Sequence, residues 1–142
     1  MGLRYKKIVT ELAERVPEIA AACRVERPIT YVIFEGDLIR LLVELVQNPS
    51  KHWRLREIMD WLEELIVDSD SDVRDLIGIS FCEWLMSENE KYLRQFWPFM
   101  REALRQSCRD DATNFRVSEE NLRLLKQTEK RRSANVYKYE KR

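Results

Sequence analysis

Few residues of this chain are equipped to make or break bonds. The one histidine, His52, falls in the first turn of a helix-forming stretch, and no nucleophile motif sets a serine or cysteine against it. A di-iron bundle needs Glu-x-x-His pairs on facing helices, and the sequence has none. Gly2, Gly36 and Gly78 are too far apart to form a phosphate-cradling loop. Cys23, Cys82 and Cys108 are odd in number and widely spaced, which suits free thiols in or near a core better than a metal cluster or a disulfide framework. The acidic turn Asp68–Asp72 fails as a calcium loop, because counting from Asp68 puts Val73 and Ile79 where Gly and a bidentate Glu are required. Helix capping is its expected work. Glu63 and Glu83 each sit beside a core-forming run. For both, a structural hydrogen-bonding role ranks above a partner contact, and acid–base catalysis ranks last. The expectation is a chain with no catalytic, cofactor or metal residues, one that acts by binding.

The feature that suggests what it binds is the distribution of charge. The whole chain is neutral, yet residues 57–90 hold eleven acids against one base, Arg74. Residues 101–142 hold twelve bases against seven acids. Charged helix faces usually mix both signs, and a field of one sign beside tryptophan suits fast capture of a basic partner. The candidate partner-binding residues are Trp53, Glu57, Asp60, Trp61, Glu64, Asp68, Asp72 and Asp75, expected on one contiguous acidic face spanning two neighbouring helices. The basic end, with Lys130-Arg131-Arg132 and Tyr137-Lys138-Tyr139, offers phosphate neutralisation and stacking as a route to nucleic acid; a solvating or self-associating tail is the preferred reading.

These residues must be positioned by helices. Three glycines and four prolines in 142 residues leave long stretches free of helix breakers. Apolar spacing predicts a first helix over 4–15, a short one from Pro17 to Cys23, and an apolar helix opened by Gly36-Asp37. The run Ile29–Phe34 is β-branched and aromatic but has no second strand to pair with, so it reads as an extended connector or the start of the next helix. After Asn48-Pro49-Ser50, with Ser50 as N-cap, a helix over 51–67 buries Leu55, Ile58, Met59, Leu62, Leu65 and Ile66, with Trp61 at the border of that face. A helix over 72–86 follows, then a capping box at Ser87–Glu90, a break at Pro98, and a last packed helix to Ser107. Ser118 can cap a short helix through Leu125. The fold class is all-α: one domain of about six antiparallel helices over 1–108, HEAT-like or bundle-like, then a basic helix or tail over 109–142.

Length and composition fit this reading, with enough apolar residues for one core and no run able to span a bilayer. The first residues lack a signal peptide's apolar centre, so a reducing, cytoplasmic setting is expected.

The segments Phe34-x-Gly-Asp37-Leu, Asp60-Trp-Leu-Glu-Glu64, Asp68–Asp72 and Phe81-Cys-Glu-Trp-Leu85 resemble a family of small bacterial helical, HEAT-like domains. Its members are similar to the immunity proteins that neutralise secreted toxins by binding them. The resemblance covers residues 34 to about 92 and implies a toxin-binding inhibitor. The basic tail lies outside it. The alternative reading is a non-catalytic scaffold or regulatory module whose basic tail contacts nucleic acid or a second protein.

Overall fold

A chain poor in helix breakers, with apolar residues at helical spacing, folds into helices. The computed structural model describes residues 2–87 and 89–127, and every regular element among them is helical. The order is Leu3–Lys6, Ile8–Arg15, Pro17–Ile19 running into Ala20–Cys23, a rod over 30–46, a single turn Pro49–Lys51 leading into His52–Asp68, a rod over 71–86, short turns over 90–99, then Glu102–Ala112 and Glu119–Leu125. One continuous core joins Ile8 at one end to Leu125 at the other, so this is a single all-α domain. No helix among the described residues is long and apolar enough to cross a membrane.

The 52–68 helix is the hub. It packs against the 39–46, 71–77 and 102–112 helices and the 97–99 turn. Leu55, Ile58, Met59, Leu62 and Leu65 form its buried face, as their spacing predicts. Each such side chain contributes roughly 1.5–3 kcal/mol of burial, which fixes which face is left for solvent. Ser50 does not cap this helix. Its hydroxyl donates to Asn48 Oδ1 at 2.8 Å, and the helix is entered through a tight turn that Pro49 starts.

The rod over 30–46 begins at Thr30, not at Gly36-Asp37. Burial of Ile33 and Phe34 overrides the local strand preference of that run. Gly36 lies inside a π-helical turn, Ile33–Leu38, and a second π-helical turn, Gly78–Cys82, interrupts the 71–86 rod; the two turns pack on each other. Ser87 donates its hydroxyl to the Trp84 carbonyl at 3.2 Å, closing the preceding helix. The side chain of Glu90, the acidic half of the expected capping box, is not among those the structure describes.

Pro98 breaks the chain where expected. The next helix runs on to Ala112, past the expected end at Ser107, so the boundary drawn at 108 falls inside a helix. The 119–125 helix, capped by Ser118 accepting from the Asn121 amide at 3.2 Å, is fastened to the same body. Arg109 donates to the carbonyls of Leu125 and Gln127, while Arg105 donates to the Trp97 carbonyl at 2.8 Å and stacks 4.5 Å from the Trp97 ring centre. The Lys130–Arg132 and Tyr137–Tyr139 motifs lie outside the described residues.

Candidate protein-docking surface

Burying Leu55, Ile58, Leu62 and Leu65 turns the opposite side of the 52–68 helix outward. Trp53, Glu57, Asp60, Glu64 and Asp68 recur there every three or four residues, which places them along one stripe. Trp53 heads the stripe with 60% of its surface exposed, and Val67 lies near its far end, also exposed. A groove of ≈ 550 Å³ runs beside Trp53, between Leu41, Glu44 and Leu45 on one side and Lys51 and Arg54 on the other.

Trp61 is not on this stripe, although it was expected among the partner-binding residues. It is 3% exposed, covered by the N-terminal helix, and its indole Nε1 donates to Glu11 at 2.6 Å. Arg4 joins the same cluster with two bonds to Glu11 and a third to Glu64. Burial alone would raise the Glu11 pKa, but the Arg4 and Trp61 bonds outweigh it and hold the carboxyl below its ordinary value. Glu64 is shared between Arg4 at 3.3 Å and Arg15 at 3.7 Å, and Glu57 pairs with Arg54 at 3.2 Å. Part of the stripe's charge is therefore met by the chain's own arginines. The Arg15–Glu64 pair is solvent-exposed, so an incoming cation can exchange with it at small cost, whereas Arg4 and Arg54 are part-buried and held by Glu11 and Glu18 as well.

The single acidic face expected across two helices is not formed. Asp72 is half-buried and accepts from the Gly2 amide at 2.8 Å, which ties down the N-terminal segment. Asp75 faces a different groove, also of ≈ 550 Å³, between the 71–86 rod and the 102–112 helix, which Glu83, Asp110, Asp111 and Arg74 line as well. The eight candidates thus divide into five on one stripe, Asp72 at a structural contact, Asp75 in a second groove, and Trp61 in the core. The sign of the charge was readable in the sequence, but the docking of the N-terminal helix onto Trp61 is a long-range event that periodicity within 52–68 cannot show.

In the second groove, Asp111 carries an unusual carboxyl. Burial, then the nearby charges of Glu83 and Asp110, push its pKa up to about 6. Its Oδ2 is shut off from solvent without a hydrogen-bond partner. Asp110 and Asp111 were not singled out in the sequence; they lie beyond its acidic middle and join Glu83 only through packing.

Glu63 has the structural role that ranked first for it. Its two carboxylate oxygens accept from the Ala103 and Leu104 amides at 2.9 and 2.8 Å, capping the 102–112 helix from a neighbouring helix. His52 contacts the Val46 carbonyl through Nε2 at 2.9 Å and sits edge-on to Phe99. All three cysteines are buried and free, and the Cys108 thiol is pushed up by burial and by its contact with Cys82. Among the described residues, no three His, Cys, Asp or Glu side chains are placed to hold a metal ion.

The fold and this surface define an all-helical, single-domain protein with a tryptophan-headed acidic stripe. The chain belongs to the family called Domain of unknown function (DUF7674), which matches residues 9–116. That span contains the stripe and both grooves and stops short of the 119–125 helix. No curated protein and no solved structure matches the chain.

Proposed function

We propose that this chain is a non-catalytic, protein-binding inhibitor of the bacterial immunity type, working in the cytoplasm. Its partner is a basic toxin, a nuclease being the class whose surface chemistry fits, and it is held by the outward stripe of the 52–68 helix. The observation that carries this reading is Trp53: a large aromatic side chain, 60% exposed, at the head of a row of carboxylates on a rigid helix. Aromatic anchors beside complementary charge dominate binding energy and association rate at protein interfaces. The helix is held in place from three sides, so the stripe is presented without an ordering cost.

The test is association of the purified chain with the product of the gene adjacent to its own. Glu57→Lys with Asp68→Lys should lower the association rate about tenfold at low salt, leaving the Arg4–Glu64 contact intact. Trp53→Ala should raise the dissociation rate about tenfold or more. Association that ignores both ionic strength and the charge reversals removes the reading.

A further inference from the structure

The groove between the 71–86 rod and the 102–112 helix is separate from the stripe and unlike it. Its carboxylates are Asp75, Glu83, Asp110 and Asp111, with Arg74 the one cation among its lining residues. Among the described residues, no ion pair involves any of the four. Asp111 Oδ2 is buried and lacks a partner, so the groove holds an acceptor that the described residues do not satisfy. Its floor is partly apolar, with Ile66 and a 42% exposed Ile79. At Gly78, in the π-helical turn, a Cβ would sit 3.7 Å from Ser107 Oγ and 3.8 Å from Asp111 Oδ2, so both atoms lie close against the backbone of the rod.

The chain itself supplies a segment of matching chemistry. Residues 128–142 carry six bases, Lys130, Arg131, Arg132, Lys138, Lys141 and Arg142, against Glu129 and Glu140, together with Val136, Tyr137 and Tyr139. The described chain delivers that segment to the edge of the groove. The Gln127 carbonyl accepts from Arg109 at 2.8 Å, Arg109 donates to Gln106 at 3.1 Å, and Gln106 donates to the groove residue Asp110 at 2.9 Å. Fifteen residues reach up to about 50 Å when extended, far more than one helix width.

The geometry points to an intramolecular contact: the basic segment 128–142 docks in cis in this groove, its arginines and lysines against Asp75, Glu83, Asp110 and Asp111 and its apolar residues over Ile79. The contact sets the chain's two blocks of opposite charge against each other and covers the groove from other cations. It is independent of toxin binding, because none of its residues lies on the 52–68 stripe.

Three isotope-labelled chains test this: the full chain, a chain ending at Gln127, and the full chain with Lys130→Glu, Arg131→Glu and Arg132→Glu. The amide resonances of Gly78, Ile79, Ser107 and Asp110 should differ between the full chain and both variants, by the same amount at every protein concentration. Asp75→Asn with Glu83→Gln should erase that difference. A synthetic peptide of residues 128–142 should move the same resonances in the chain ending at Gln127. It should bind the full chain about tenfold or more weakly, since a tethered copy acts at millimolar effective concentration. Groove resonances that do not change overturn the contact, and so does a peptide that binds both chains equally. Differences that grow with protein concentration assign the groove to a second copy and overturn it as well.

Discussion

Replacing Glu63 with Gln removes a charge from a place where one helix caps the start of another by hydrogen bonds. The carboxylate accepts from the Ala103 and Leu104 amides, two of the four that the first turn of an α-helix leaves unpaired. A glutamine keeps one acceptor oxygen but turns an NH2 group toward the second amide, where donor meets donor. Hydrogen bonds to a charged group contribute about 1.5–3 kcal/mol each, and an anion at a helix N-terminus adds about 0.3–1 kcal/mol. Glu63 is half-buried, so solvent recovers part of the loss, and the net cost should be about 1–2 kcal/mol. For a chain of this size that lowers Tm by about 3–8 °C. Urea unfolding followed by tryptophan fluorescence should show an earlier midpoint with an unchanged slope. Hydrogen exchange should accelerate at Ala103 and Leu104 ahead of the rest of the 102–112 helix. Glu57→Gln, on the solvent side of the same helix, should leave both readings within about 0.5 kcal/mol of the parent. An unchanged midpoint with unchanged exchange at those two amides would refute the capping role.

Two further outcomes follow from burial. Burial and the nearby carboxylates let Asp111 hold its proton up to about 6, against 3.8 for the free side chain. Between those values the folded state binds more protons than the unfolded one, so this group makes stability fall as pH rises from about 4 to 6. Asp111→Asn should abolish that part of the slope, by about 1 kcal/mol once solvent screening in an open groove is allowed for; a variant with the parent's slope contradicts the assignment. The second outcome concerns thiols. Burial raises the Cys23 and Cys108 pKa values, and Cys82 and Cys108 are sealed from solvent. A thiol reagent should label Cys23 slowly in the folded chain and reach Cys82 and Cys108 only on unfolding. Rapid labelling of Cys108 in native buffer would contradict the packing.

Where local rules decide, the sequence was readable. Apolar spacing placed the helix at 51–67 against an observed 52–68, Ser118 announced its cap, and Pro98 its break. The outward acidic stripe follows from the same period. Residues whose surroundings come from far along the chain were not readable. Trp61 looked like a border residue because Glu11, fifty positions away, is invisible to a helical wheel. The Ile29–Phe34 run joined a helix because tertiary burial of Phe34 outweighs its own preference. The groove around Asp111 needed the 71–86 rod and the 102–112 helix, separated in sequence by the turns over 90–99, to be set side by side.

The π-helical turns at Ile33–Leu38 and Gly78–Cys82 also bear on how these rods tolerate change. Each wider turn accommodates one residue more than an α-helical turn would, so the stretch beyond it is rotated by about 100° relative to an uninterrupted helix. One rod can therefore direct its first half at one neighbour and its second half at another. Removing a single residue at either turn would act as a twist rather than a shortening, swinging Leu42 or Leu85 out of the interior while leaving overall length nearly intact.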